Sequence, residues 1–337
     1  MKKLLTLAAI LLITAFTIAT SGCGSSSSTP LITYVARPNS SGAPQLFTLT
    51  GTTATPTAVS IPIPTNAQFV SSNSTATAVT YCYDSQVSGN YDIFLMGMDG
   101  VEHELTTDAD ACESVFSPDG KTIAYVSDQG ENGFSIYTMN VDGSNQTALY
   151  SPGSDTAAAF YPEFSPDGKS LVFYVVLEGC NCLTQHHGNS RASGWMQQRR
   201  GQARSGIHRT AKTQVAPSAS GWYVMALTEA TPTLSFATTD WWGPAVFSSD
   251  GTKLLLTIND AISSVNIDGT GMTPLTTNAG VDSFSPVPYG NLILFNQMDE
   301  TNSSWDIYVM DQSGNNPTLV VSTANTDDTL IDAYWED

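Results

Sequence analysis

The sequence is poor in positive charge and has no long hydrophobic run beyond its N-terminus. Its 337 residues hold 12 Lys and Arg against 31 Asp and Glu, which gives a formal net charge of −19. So acidic a chain repels phosphate backbones, and nucleic acid is therefore excluded as a partner. The apolar stretch from Leu4 to Ala19 is about 16 residues long, shorter than the ~20 that a membrane-spanning helix needs. A Gly-x-Ser-x-Gly motif is also missing, and no catalytic residue is predicted.

Residues 1–22 have the pattern of a secretory signal peptide. Lys2 and Lys3 precede the apolar stretch, which ends in small residues before Cys23. The Ser-Gly-Cys sequence resembles the lipobox of bacterial lipoproteins, which implies a lipidated Cys23 that anchors the chain to a membrane, with a Ser-rich tether over residues 23–30. By the same analogy Gly24, which is not aspartate, favours an outer-membrane lipoprotein facing the periplasm or the cell surface. The alternative is an ordinary cleaved signal peptide with a free cysteine.

A Ser-x-Asp-Gly phrase occurs three times, each time before an apolar run. The three copies are Ser117-Pro118-Asp119-Gly120, Ser165-Pro166-Asp167-Gly168 and Ser248-Ser249-Asp250-Gly251. Proline sets φ at the second position of a turn, Asp bonds to nearby backbone, and Gly accepts a positive φ. These residues are therefore predicted to be structural turns between strands.

A second repeated phrase places an aromatic residue in a short apolar strand that runs into another turn. Copies occur at residues 46–49, 93–96, 136–139, 222–225, 262–265 and 307–310, and in the copy at 262–265 Ser263 replaces the aromatic residue. The spacing is 40 to 47 residues, with one doubled interval of 86 between Tyr137 and Tyr223. A period in this range, built from short strands and turns, is typical of a β-propeller. Residues 31–337 are therefore predicted to form one all-β domain with six recognisable four-stranded antiparallel blades.

The two ends of the chain fit this scheme as parts of one blade. Residues 32–36 and 45–49 have the pattern of second and third strands without a first, and residues 331–335 have the pattern of a first strand without a blade. The C-terminal strand is therefore predicted to pair with the N-terminal ones and to close the ring, which removes exposed sheet edges. Removal of Tyr334 to Asp337 is expected to destabilise the protein strongly.

The Ser-Pro-Asp-Gly-Lys turn at residues 117–121 and the Ile-Tyr-x-Met-x-x-Asp-Gly strand at residues 136–143 resemble the propeller repeats of the TolB family. The resemblance covers most of residues 31–337 and implies a β-propeller. Such repeats occur in periplasmic scaffolds and also in propellers attached to peptidases, so the resemblance specifies the fold more closely than the function.

Residues 179–212 break the repeat. They hold six of the ten Lys and Arg that follow residue 22, three of the four His, and no Asp or Glu. Three interpretations are open: a basic loop that grips an anionic partner, a metal site built from Cys180, Cys182, His186 and His187, or translation from a wrong reading frame. The doubled interval favours the third, in which case the segment hides a seventh blade.

Few other residues suggest chemistry. Trp241 and Trp242, at the start of a blade, either stack on a sugar or peptide or pack between blades. The pairs Asp108 with Asp110 and Asp327 with Asp328 either bind Ca²⁺ or lie in solvated loops; no other cofactor or metal is predicted. His103, between Glu102 and Glu104, is predicted to be a solvated loop residue.

Two cysteines, Cys82 and Cys112, fall in neighbouring blades. Export to an oxidising compartment permits a disulfide between them, and buried free thiols are the alternative.

These observations predict a non-enzymatic lipoprotein of the cell envelope that uses its propeller to bind a protein or a glycan. The alternative is a propeller hydrolase or lyase with its site at the mouth of the central channel. A third reading is a damaged gene product without activity.

Overall fold

A computed structural model describes residues 31–38, 43–84, 91–107, 110–129, 133–153, 157–177, 217–229, 231–239, 243–277, 282–299, 304–322 and 326–334. Within these ranges every regular element is a β-strand, and no helix is long and apolar enough to cross a membrane. The predicted signal peptide, Cys23 with its tether, residues 179–212, Asp108, Trp241 and Trp242 lie outside the described residues.

The described strands form six four-stranded antiparallel sheets, each of which is one blade. Blade 1 contains β24 (Thr326–Tyr334), β1 (Leu31–Pro38), β2 (Gln45–Thr50) and β3 (Thr57–Ala58). Blade 2 contains β4 (Gln68–Ser72), β5 (Ala78–Asp84), β6 (Tyr91–Gly97) and β7 (Glu102–Glu104). Blade 3 contains β8 (Ala111–Phe116), β9 (Thr122–Ser127), β10 (Ser135–Asn140) and β11 (Thr147–Tyr150).

The second half of the ring repeats this order. Blade 4 contains β12 (Ala157–Phe164), β13 (Ser170–Leu177), β14 (Gly221–Ala226) and β15 (Thr233–Ala237). Blade 5 contains β16 (Val246–Phe247), β17 (Lys253–Ile258), β18 (Ala261–Asn266) and β19 (Thr273–Pro274). Blade 6 contains β20 (Ser283–Tyr289), β21 (Leu292–Asp299), β22 (Ser304–Asp311) and β23 (Thr318–Val321).

The repeated Ser-x-Asp-Gly phrase forms the turn between the first and second strands of blades 3, 4 and 5. In blade 3 the Ser117 hydroxyl donates to Asp119 at 2.7 Å and accepts the Thr122 N–H at 3.0 Å. Gly120 has a φ of 67°, a conformation that strains residues with a Cβ. The side chains of the other two copies make the same bonds: Ser165 with Asp167 and Ser170, and Ser248 with Asp250 and Lys253. The phrase thus holds a hairpin, and its carboxylates are occupied within the turn.

The core lies between blades. Strand residues alternate between the two faces of a blade, so neighbours on the third strand pack toward different blades. Ile93 joins the cluster that runs through blades 2 to 5, whereas Phe94 and Met96 pack against residues of blade 1. Two further clusters join blade 5 to blade 6 and blade 6 to blade 1. Apolar contact therefore continues around the whole ring.

The ring is closed by the C-terminal strand, as predicted. β24 pairs with β1 from Leu31 opposite Tyr334 to Pro38 opposite Thr326. The Asn296 side-chain amide of blade 6 also donates to the Asp328 carbonyl of β24 at 2.6 Å. Chain ends that are far apart in sequence thus form one blade.

The described residues form six blades, not seven. The innermost strands β4, β8, β12, β16, β20 and β24 each contact the next, and β24 contacts β4. Within blade 4, β13 pairs directly with β14, Ser170 opposite Ala226. The doubled interval in the sequence therefore spans a connection between two strands of one blade, and the contacts between innermost strands leave no gap for another blade.

A disulfide joins Cys82 of blade 2 to Cys112 of blade 3. The two Cα atoms are 5.3 Å apart, and both residues are fully buried. Of the two alternatives left open by the sequence, the structure shows the disulfide, which ties the second strand of one blade to the innermost strand of the next.

Candidate functional site

Four innermost strands carry the same irregularity. Phe69, Glu113, Tyr161 and Ser285 each have a φ of 49° to 54°, and each lies at a β-bulge in the first strand of its blade. A bulge removes a residue from the strand ladder and redirects its side chain. Residues with a Cβ are uncommon at positive φ, so the four bulges mark a backbone feature that the innermost strands share.

Glu113 and Tyr161 link two of these bulges. The Tyr161 backbone N–H donates to Glu113 Oε2 at 2.6 Å, and the two residues are 4% and 8% exposed. Burial raises the pKa of Glu113 to about 8, an effect that the Tyr161 N–H partly opposes. The pKa of Tyr161 is itself raised by burial and by the Glu113 charge. Oε1 of Glu113 is buried and has no hydrogen-bond partner among the described residues.

This geometry suits a latch between blades better than a catalytic acid. A general acid must reach its substrate within hydrogen-bond distance, and both the carboxyl group and its neighbour are buried. In the structure the Glu113 carboxyl group accepts a hydrogen bond from the backbone N–H of Tyr161, in the bulge of the neighbouring blade. Blades 2, 3 and 4 are thereby joined in sequence, first by the disulfide at Cys112 and then by the next residue, Glu113.

A second cluster lies across β5, β6 and β7 on blade 2. The Tyr81 hydroxyl donates to Glu102 Oε1 at 2.6 Å, and the Tyr83 hydroxyl donates to Oε2 at 3.1 Å. Tyr83 stacks on Phe94 with ring centroids 4.4 Å apart. The Glu102 carboxylate thus fixes the positions of Tyr81 and Tyr83, and the Tyr83 ring stacks on Phe94.

The Tyr83 hydroxyl lies in a field of negative charge. Its pKa is raised to about 12, first by burial, then by its hydrogen bond to Glu102, and further by the charges of Glu102, Glu104 and Asp92. Glu102, His103 and Glu104 are exposed. They form the outermost strand β7, so the prediction that His103 lies in a loop was wrong. Strand β7 has three residues, too few for the alternating pattern of a strand to be recognised in the sequence.

The turn that leads into β7 exposes two large apolar side chains. Met98 is 60% exposed and Val101 is 49% exposed. In the described part of the chain only three other large apolar residues are comparably exposed, namely Ile267, Met272 and Leu319. We give the name blade-2 patch to five residues of β5, of β7 and of the turn between β6 and β7, namely Tyr83, Met98, Val101, Glu102 and Glu104. It combines apolar, aromatic and anionic groups, of which Tyr and Met are residue types enriched at protein interfaces.

The fold is shared with known propellers. TolB from Acinetobacter baumannii superposes with a TM-score of 0.57 over 90% of this chain and 67% of its own, at 15% identity. The chain has a TolB-like β-propeller fold. A protein described as TolB from Agrobacterium tumefaciens gives a TM-score of 0.56 over 91% of this chain and 99% of its own, at 13% identity.

The TolB-like fold also extends to an enzyme. An oligogalacturonate lyase in complex with manganese gives a TM-score of 0.52 at 13% identity, over 87% of this chain and 73% of its own. No model of a protein family matches the sequence, and no curated protein is significantly similar to it. The TM-scores show that the TolB-like propeller fold is shared. At identities this low the function has to be inferred from the sites of this protein.

The two aspartate pairs, for which calcium binding and a solvated loop were the alternatives, are only partly described. Asp110 directly precedes β8, and its carboxylate accepts the Tyr91 N–H at 2.9 Å. Asp328 is buried in strand β24, so the alternative of a solvated loop was wrong for this residue. Across the described ranges, no three His, Cys, Asp or Glu side chains lie together as metal ligands would. Asp110 therefore has a backbone bond to account for its position.

Neither cluster was predicted from the sequence. Glu113 follows Cys112 in an ordinary strand pattern, and nothing in that pattern indicates a bulge. Tyr81 and Tyr83 are two residues apart in β5, a spacing that puts them on one face of the strand. Nothing in that spacing indicates the Glu102 partner 19 to 21 residues later.

Proposed function

We propose that this protein is a non-enzymatic lipoprotein of the cell envelope whose TolB-like propeller is a scaffold that binds a protein or a glycan. The blade-2 patch is the binding surface, and its exposed Met98 and Val101 carry the proposal. The lipobox-like sequence before Cys23 and the acidic composition support a location outside the cytoplasm, in an outer membrane facing the periplasm.

The alternative is a hydrolase or lyase with its site at the mouth of the channel. Glu113, with a pKa of about 8, is the described residue that favours it, together with the fold shared with an oligogalacturonate lyase. The burial of Glu113 disfavours it, because the carboxyl group is closed to a substrate. The scaffold is therefore the better supported of the two.

The test is capture from a detergent extract of envelope proteins and glycans, with the full chain as bait. We expect a component that the wild-type chain enriches, that the M98S/V101S bait loses, and that an I267S/M272S bait retains. The second pair is the matched control, since Ile267 and Met272 are exposed in the equivalent turn of blade 5.

Two results would contradict the proposal. One is a capture experiment in which the wild-type bait enriches no envelope protein or glycan. The other is equal loss by both double variants, which would place the binding surface elsewhere or make it unspecific.

A further inference from the structure

Glu102 and Glu104 of the blade-2 patch form no ion pair with another described residue. Two ion pairs occur among the described residues, Lys121 with Asp119 and Lys169 with Asp167, and both lie within Ser-Pro-Asp-Gly turns. Neither Glu102 nor Glu104 takes part in them. Glu102 is oriented by two tyrosine hydroxyls, and both glutamates are exposed on the outermost strand of the blade.

The apolar part of the patch lies next to this charge in the chain. Met98 and Val101 occupy the turn between β6 and β7, and Glu102 follows Val101 directly. Methionine is flexible and polarizable and adapts to varied apolar partners. A ligand that satisfies the whole patch therefore needs an apolar side chain and a cation a few residues apart.

The equivalent turn of blade 5 shows what is specific to blade 2. Ile267 and Met272 are also exposed there, at 42% and 37%. The following strand, Thr273–Pro274, has no carboxylate, and Asp268 accepts bonds from the backbone N–H and the hydroxyl of Thr270. The outermost strand of blade 5 thus follows exposed apolar side chains but carries no carboxylate, whereas that of blade 2 follows exposed apolar side chains and carries two.

We infer that the blade-2 patch binds a basic polypeptide segment, in which a Lys or Arg side chain meets Glu102 and Glu104 and an apolar neighbour packs on Met98 and Val101. This inference rests on the proposed scaffold function and names its partner as cationic protein, not glycan. The ordering of Glu102 by Tyr81 and Tyr83 reduces the entropy that binding would otherwise cost, because the carboxylate is already fixed.

The test uses a fluorescent ten-residue peptide of alternating Lys and Leu, with an alternating Glu and Leu peptide as its counterpart. Binding to the full chain is followed by fluorescence anisotropy at low and high salt. We expect the Lys peptide to bind, the Glu peptide not to bind, and the affinity to fall as salt rises. E104K should weaken binding about tenfold, since one reversed charge contact is worth about 1.4 kcal/mol.

The matched control separates this site from the general acidity of the surface. Glu229 is exposed in the corresponding turn region of blade 4, and E229K makes the same change in net charge. We expect E229K to change the affinity less than about twofold, and M98S/V101S to weaken it several-fold while I267S/M272S does not. E104Q, which only removes a charge, guards against a variant that fails to fold, and thermal unfolding checks every variant.

Equal weakening by E104K and E229K would overturn the inference, because it would mean attraction to net charge alone. Failure of the Lys peptide to bind would overturn it too. If envelope capture depends on Met98 and Val101 but is insensitive to E104K and to salt, the scaffold proposal stands and the cationic partner is wrong. If the peptide binds as expected and envelope capture enriches nothing, the scaffold proposal fails alone.

Discussion

At the scale of single residues, Glu113 illustrates how a buried charge is placed. Its neighbour Cys112 is fixed by the disulfide, and the bulge turns its side chain toward Tyr161 of the next blade. A carboxyl group buried this far is costly to ionise, which is why its pKa rises to about 8. The same group in a turn behaves oppositely: hydrogen bonds from Ser165 and the Lys169 N–H lower the pKa of Asp167.

The raised pKa of Glu113 predicts that its contribution to stability falls as pH rises. The folded protein binds this proton more tightly than the unfolded chain, whose ordinary value is 4.5. The cost of ionisation is therefore absent below pH 4.5 and grows up to about pH 8, with a slope of at most about 1.4 kcal/mol per pH unit. We expect E113Q, which keeps an acceptor for the Tyr161 N–H, to remove this slope.

The measurement is the free energy of unfolding in urea between pH 4.5 and pH 8, for the wild-type protein and E113Q. E113A is the control, since it also lacks the titrating group but leaves the Tyr161 amide without its acceptor, and it should be less stable than E113Q at every pH by about 1–3 kcal/mol. Parallel pH profiles for the wild-type protein and E113Q would show that Glu113 is ionised at little cost.

At the scale of elements, the blade is largely predictable because its strands and turns are local. In blade 3 the predicted turn at residues 117–120 lies between β8 and β9, and the predicted apolar strand at residues 136–139 lies within β10. Pairing across blades is different. Cys82 and Cys112 are 30 residues apart, and only the packing of β5 against β8 brings them together.

The disulfide is expected to stabilise the fold by about 3–4 kcal/mol, because it restricts the unfolded chain over a loop of this length. We predict that C82A/C112A lowers the urea midpoint by the corresponding amount. The wild-type protein should lose the same stability when it is unfolded in reductant, whereas the variant should be insensitive to reductant. Equal midpoints for the wild-type protein and the variant without reductant would contradict the assignment of this bond as a stabilising one.

At the scale of the whole molecule, closure joins the two ends of the described chain. β24 supplies the innermost strand of blade 1, and its neighbours in space include β22 and β20 of blade 6 and β4 of blade 2. The Thr33 and Ser72 hydroxyls, 3.0 Å apart and buried, add a polar contact between blades 1 and 2. Loss of β24 would therefore expose both neighbouring blades.

The register of β24 turns this closure into a graded prediction. Deletion from Tyr334 onward removes one of the pairs with β1, that with Leu31, whereas deletion from Thr326 onward removes all eight. We expect the short deletion to lower the melting temperature and the long one to abolish cooperative unfolding, as followed by calorimetry and circular dichroism. A cooperative transition at the wild-type temperature after the long deletion would refute closure by this strand.

The sequence by itself determined the blades: the Ser-x-Asp-Gly turns, the aromatic third strands and the pairing of the chain ends all follow from short-range patterns with a fixed period. The tertiary structure decided the rest. Six blades, the latch from Glu113 to Tyr161 and the holding of Glu102 by Tyr81 and Tyr83 depend on residues brought together across strands or blades. Such contacts depend on how the blades pack around the ring. A local sequence pattern does not indicate which distant residue a given side chain will contact.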